Sequence, residues 1–300
     1  MDQYQRIDFR DQIARNKRNS FFLIVIIFAV FVLFGWVIAM AVGGGYFFII
    51  MIIAIIFSLS YILLSYYNSD KIALASVRAR KIDTKNSNEK QYERLVGGLT
   101  LASGLPMPRL YVMESSQINA FASGRDPKNA VVCVTTGCLE KLDRRELEGV
   151  LAHELSHVGN YDMRYMTLVA VMVGLIAIIS EIFLRSLWLG AGSKGGDKDK
   201  AGAIFLVIGI LLAILAPIVV WLVQLSISRK REYAADASAV KFTRYPQGLI
   251  GALKKIKADY AAPEKKVPKA VAPLFFANPF KGMGSTHPPI EKRIEILERM

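Results

Sequence analysis

Four long apolar stretches, separated by charged blocks, set the rhythm of this chain. Phe21 to Val42 contains no charged residue. As a helix rising about 1.5 Å per residue it reaches about 30 Å, enough to cross the hydrocarbon core of a bilayer. Gly43-Gly44-Gly45 follows, then a second run from Tyr46 to about Tyr66. A glycine triplet leaves room only for a tight turn, so the two runs predict a helical hairpin of two membrane spans. The first run is too long for a signal-peptide core and has no clear small-residue cleavage site after it, which makes it a retained anchor. Two further runs, Met166 to about Leu189 and Ala203 to about Ile227, predict a second hairpin. The first of these contains Glu181 and Arg185, four apart on one helix face and able to pair, and the second contains Pro217. Glycine-rich, charged residues 190–200 connect them.

Between and after the hairpins the pattern changes. Residues 89–102 place Leu95, Leu99 and Ala102 on one helix face, and Gly104-Leu105-Pro106 stops the helix. Short strands are expected at Arg109–Met113, Ala120–Ser123 and Val131–Thr135. A helix then starts with Asp143 as N-cap and Glu146 three residues on, and runs through Leu147, Val150 and Leu151 to His157, ending at Gly159-Asn160. Ile290, Ile294 and Leu297 suit an amphipathic last helix opened by Pro288-Pro289. The fold class is therefore α+β: a multi-span helical membrane protein with about four transmembrane helices and a mixed water-facing part.

Composition supports the division. Over 300 residues the chain is 53% hydrophobic with mean hydropathy +0.34, yet 21% charged, which excludes both a simple soluble domain and a disordered chain. The net charge of +13 is placed unevenly. Arg6, Arg10, Arg15, Lys17 and Arg18 precede the first run, Lys71, Arg78, Arg80 and Lys81 follow the second, and Arg229, Lys230 and Arg231 follow the fourth. With four spans these flanks all lie on one side, and the positive-inside rule makes it cytoplasmic, together with both termini. No nucleic-acid motif accompanies the charge, so nucleic acid is excluded as a partner and the bilayer is the expected one. Cys133 and Cys138 are poorly spaced for a zinc knuckle and read as two buried free thiols.

The helix that ends at Gly159 carries His153-Glu154-Leu155-Ser156-His157. Positions i and i+4 lie one above the other on a helix face, so both imidazoles reach one metal ion, and zinc suits imidazole and carboxylate donors. Glu154, one residue on from His153, is placed to serve as general base towards a water held by the ion. Only three histidines occur in the whole chain, and two are here. Glu232, in Arg231-Glu232-Tyr233-Ala234-Ala235-Asp236 just after the fourth run, is the available third ligand for a His₂Glu shell. Asp236, one turn later, can accept a hydrogen bond from the outer nitrogen of a ligating histidine. One zinc ion per chain is expected. The chain thus divides into a membrane hairpin (1–68), a catalytic part carrying the metal helix (69–165), a second hairpin (166–227) and a second catalytic part with the third ligand (228–300).

These motifs resemble the HtpX-type membrane metalloproteases, relatives of the CAAX prenyl proteases. The resemblance extends to Asn119-Ala120-Phe121-Ala122, Asn160-Tyr161-Asp162-Met163 and Ser285-Thr286-His287-Pro288-Pro289, and covers essentially the whole chain. It implies a zincin-like zinc metalloendopeptidase of the inner or plasma membrane, with a cytoplasmic active site. It further implies a stress-response role in quality control of damaged or misassembled membrane proteins, its substrates being membrane or unfolded polypeptides. Asn119, Ala120, Phe121 and Ala122 then form either a substrate-binding edge strand beside the metal helix or an ordinary core strand. The resemblance also places His287 near the metal, as donor to the developing oxyanion or as a mere cap of the last helix, with Arg293 as partner of Glu232 or Asp236. Intramembrane cleavage and CAAX-type processing are the alternatives; the charges before His153, from Lys141 to Glu148, argue for a water-facing helix.

Overall fold

The computed structural model describes residues 9–42, 44–170, 209, 229–259, 274–277 and 288–300. Almost all of the apolar runs beginning at Met166 and at Ala203, the connector 190–200 and His287 lie outside the described residues. Helix α1 spans Phe9–Val42, and after a 3₁₀ turn at Gly44–Tyr46 helix α2 spans Phe47–Tyr67. Both are long and apolar enough to cross a membrane. They pack closely: a Cβ added at Gly35 would sit 2.2 Å from that of Ala54, so only glycine fits this crossing. Phe31 meets Phe57 and Tyr61 edge-on or tilted, with ring centroids 5.5 and 5.3 Å apart.

Helix α1 is longer than the run that predicts it. Its 34 residues make a rod of about 51 Å, whereas the apolar stretch starts only at Phe21. The dozen residues before Phe21, Arg10, Asp11, Arg15, Lys17 and Arg18 among them, extend the helix ahead of that uncharged run. Asn16, Ser20, Leu23, Ile27 and Phe31 form one buried stripe at helical spacing, polar at its start and apolar beyond. That stripe packs on Tyr165, Leu168 and Val169, from the helical residues 162–170.

Helix α3 (Ser69–Ser76) leads from α2 into a four-stranded sheet. Its strands are β1 (Arg80–Lys81), β2 (Arg109–Met113), β3 (Ala120–Ser123) and β4 (Val131–Thr135), in the order β1-β2-β4-β3. β2 and β4 are parallel, with Tyr111 opposite Cys133; β3 runs antiparallel to β4, with Phe121 opposite Cys133. Helix α4 (Ser87–Ser103) precedes β2, capped by Asn86 and closed by Gly104 in the left-handed region. Helix α5 (Thr136–Lys141) follows β4, and helix α6 spans Arg144–Gly159. The expected capping box is present: Asp143 accepts from the Glu146 amide, and the Asp143 amide donates to the Glu146 side chain.

Three helices complete the described chain: α7 (Arg229–Thr243), α8 (Pro246–Ala258) and α9 (Ile290–Leu297). The main core lies between the sheet and helices α4, α6 and α8, with Tyr92, Leu95, Val132, Val134, Leu151, Leu155, Leu249 and Leu253 among its members. α8 approaches α6 backbone to backbone, where a Cβ on Gly149 would lie 2.7 Å from the Leu249 nitrogen. Cys133 and Cys138 are free and buried, and burial pushes the Cys138 thiol up to about 12. α+β order, capped metal helix and three strands match expectation; β1, α3, α5 and α8 are additions to it.

Candidate metal centre

Helix α6 is buried on nearly every side, because the sheet and α4 cover one flank and α7 and α8 the other. His153 and His157, four residues apart, point the same way, and their rings meet edge-on at 4.7 Å. Their Nε2 atoms face each other at 3.1 Å. Helix α7 brings Glu232 to the open side: Oε2 is 3.7 Å from His153 Nε2 and Oε1 is 3.6 Å from His157 Nε2. Donor atoms of the three residues all lie within 4.8 Å of one another.

What the imidazoles do with their other nitrogens decides what this cluster can hold. His153 Nδ1 lies 2.9 Å from Asp236 Oδ1, and His157 Nδ1 lies 3.0 Å from Asp162 Oδ2. An ionised carboxylate only accepts, so each Nδ1 carries a proton, which leaves Nε2 as the atom of each ring that can offer a lone pair to an ion. Two imidazole nitrogens and a carboxylate aimed at one point oppose each other unless a proton or a metal cation lies between them. Donors at about 2.0–2.1 Å from a tetrahedral ion lie about 3.3 Å apart, close to the separations seen here. The chemistry of the donor set therefore fits a metal ion.

The surroundings fix this arrangement. Arg293 of α9, itself buried, grips Asp236 with two bonds, Nε to Oδ2 at 2.9 Å and an η nitrogen to Oδ1 at 2.6 Å. Its other η nitrogen stands 3.9 Å from Glu232, and its plane covers the Phe276 ring at 4.7 Å. Burial alone would raise the Asp236 carboxyl; the charge of Arg293 and the bonds from His153 and Arg293 hold it below its ordinary value. Burial lowers His153 to about 4, against the opposing bond to Asp236. Burial acts the same way on His157, but the Asp162 bond and the charges of Glu232, Asp162 and Glu154 outweigh it and raise the group to about 9. Burial, reinforced by Glu232, pushes the Glu154 carboxyl up to about 7, against His157 and the Ala122 backbone.

Strand β3 lies beside α6, with Ala120, Phe121, Ala122 and Asn119 all buried. One edge of β3 pairs with β4. The other carries the chain's own residues 274–277: Phe275 bridges Phe121, the Phe276 amide donates to Ala120 O at 2.8 Å, and Asn119 exchanges bonds with Ala277. Phe276 also stacks edge-on against His153, centroids 4.8 Å apart. The structure thus brings together His153, Glu154, His157, Glu232, Asp236, Arg293 and the Asn119–Ala122 strand. Sequence reasoning gave no role to Asp162, Asn16 or Phe276. Asp162 reaches His157 because Tyr161 takes a left-handed conformation, φ 60°, which turns the chain back sharply after α6, and no helix spacing signals that.

Residues 86–300 match the family model described as peptidase family M48. The chain is 44% identical over 298 residues to a protein named protease HtpX homolog from Caldanaerobacter subterraneus subsp. tengcongensis, covering 96% of each. It is 38% identical over 304 residues to a protein of the same name from Listeria monocytogenes serotype 4a, covering 97% of this chain and 99% of that one. Among solved structures, that of S. mikatae Ste24p aligns with a TM-score of 0.48 and 18% identity, over 83% of this chain and 57% of that one. The near-complete coverage of these relatives, with two membrane-length helices leading into a His-His-Glu cluster, makes this chain a member of peptidase family M48 and a membrane metalloprotease.

Proposed function

We propose that the chain is a zinc endopeptidase that hydrolyses unfolded or damaged membrane polypeptides at the cytoplasmic face, in membrane-protein quality control. The observation that carries the chemistry is the convergence of two Nε2 atoms and the Glu232 carboxylate, each imidazole backed by its own aspartate. His153, His157 and Glu232 are the residues that hold the ion. When bound, zinc supplies Lewis acidity that polarises a scissile carbonyl and makes a water molecule more acidic.

Glu154 takes a proton from the attacking water, whose oxygen bonds to the carbonyl carbon. It then returns that proton to the leaving amine as the C–N bond breaks. Burial holds its carboxyl above the ordinary carboxylate range, which makes it a stronger proton acceptor than an exposed glutamate. Asp236 and Arg293 hold His153 in one tautomer and one orientation. Asn119, Ala120, Phe121 and Ala122 are proposed as the substrate-binding strand, an extended substrate taking the outer edge of β3 in place of residues 274–277, which occupy it here. His287, from outside the described residues, is proposed as an oxyanion donor. The basic flanks of the apolar runs support a cytoplasmic centre; one membrane hairpin precedes the catalytic parts and a second, at about 166–227, separates them.

The test is Glu154→Gln in purified full-length protein, assayed on an unfolded membrane polypeptide. Hydrolysis should fall by roughly 10²–10⁴-fold while zinc stays bound at one ion per chain. Wild-type cleavage by this variant rejects the assignment.

A further inference from the structure

We infer that Asn16, in the charged first part of α1, is a positioning residue for the metal centre, acting through Asp162 on His157. The inference rests on the reading of His157 as a metal ligand. Asn16 is buried although its neighbours Arg15, Lys17 and Arg18 are exposed. Its side-chain amide donates to Asp162 Oδ1 at 2.6 Å and to the Asn160 carbonyl at 2.9 Å. The other oxygen of Asp162 takes the His157 Nδ1 proton at 3.0 Å. The Asn16 carbonyl oxygen in turn accepts from Arg231 at 3.5 Å, and Arg231 is the residue before Glu232.

The geometry needs each of these parts. Tyr161, in its left-handed conformation, swings Asp162 under His157, and Lys17 of α1 lies over the Tyr161 ring at 4.4 Å. Asp162 is fully buried, so its orientation is set by the donors around it: the imidazole on one oxygen, and Asn16 with the Arg231 guanidinium, 3.9 Å away, on the other. A carboxylate held from both sides cannot rotate away from the imidazole, which keeps the His157 Nε2 aimed at Glu232 and His153. The first membrane helix is therefore part of the metal site as well as an anchor, and the position of α1 sets how tightly the ion is held.

The experiment measures zinc affinity by chelator competition, and the visible spectrum of the cobalt-substituted protein, on the full chain in detergent with Glu154→Gln throughout to prevent self-cleavage. Asp162→Ala and the isosteric Asp162→Asn should weaken zinc roughly 10–100-fold. Asn16→Ala should weaken it on the order of tenfold and shift the cobalt bands, while the chelated form still folds cooperatively with at most a modestly lower thermal midpoint. The double variant Asn16→Ala, Asp162→Ala should bind no more weakly than Asp162→Ala alone, because both act along one path. Ser20→Ala, one turn along the same stripe and bonded among the described residues to the Asn16 backbone carbonyl, should leave affinity unchanged. Wild-type affinity in Asn16→Ala beside a weakened Asp162→Ala, or losses that multiply in the double variant, overturns the inference alone. Wild-type affinity in His157→Ala overturns the metal-site reading, and the inference with it.

Discussion

Helices α2 and α6 are built on opposite rules. In α2 the buried residues are Ser58 and Ser65, while Phe48, Ile53, Ile56 and Leu64 are exposed. In α6 burial takes in Leu147, Val150, Leu151 and Leu155, and also His153, Glu154 and His157. A water-soluble helix hides its apolar face, so α2 has a solvent other than water; against lipid, small residues go to the helix contact and large apolar ones outward. α6 follows the rule for water, with an exception at its C-terminal half, where charged groups are buried because each has a partner. Polarity alone therefore does not say what is inside, since the surrounding medium and the available partners decide it.

The largest expected effect comes from unpartnering the buried charges. Arg293→Met leaves Asp236 buried with His153 as its one remaining described partner, and should destabilise the metal-loaded protein by about 3–5 kcal/mol, seen as a fall in thermal midpoint. A loss under about 1 kcal/mol would mean that water reaches Asp236 and that α6 keeps no sealed polar interior.

The same comparison can be broken from the other helix. Ile53 is 60% exposed on α2. Facing lipid, Ile53→Asp should cost about 2.5–3.5 kcal/mol of membrane insertion, read as a fraction of chain extractable by alkaline carbonate. If the face meets water, the change is neutral and the contrast with α6 disappears.

A smaller effect sharpens the point about partners. Arg80 gives two bonds to Glu89, at 2.9 and 2.7 Å, and the Asp83 amide a third at 2.6 Å. The Arg80 bond, against burial, holds the Glu89 carboxyl below its ordinary value. A depressed folded value means that the stabilisation is fully present above the unfolded value of about 4.3 and is lost as pH falls through the folded one. Because Arg80 is half exposed, Glu89→Gln should cost only about 1 kcal/mol at pH 7 and nothing in strong acid, measured as denaturant midpoints at the two pH values.

Legibility in the sequence follows the range of the cause. The capping box and the i, i+4 histidines act within one helix, and both the helix and the facing rings were readable from spacing. α8 was not: Gly248 and Gly251 look like breakers, yet they are where the helix touches Arg145 and Glu146 of α6, so tertiary packing explains them. β1 shows no alternation, being exposed at both residues, and exists only by pairing with β2. Asn16 stands in a basic flank that reads as a topology signal, and its partner Asp162 is brought near by a backbone turn and by a helix packing across 146 residues of sequence. The pairing of Phe275 with Phe121 likewise joins distant segments of no mutual pattern.

The distances in sequence also set a timetable. The cluster draws on α6, α7 and α9, while its outermost support comes from α1, so residues 16, 162, 232, 236 and 293 must meet before it closes. Local helices form early, and contacts of such long separation come last. A nascent chain holds Asn16 and the paired histidines long before it holds Glu232, and Asp236 has no guanidinium until α9 docks. During synthesis and membrane insertion the His-His-Glu cluster is thus unfinished until the segment carrying Arg293 has folded back onto the helices made before it.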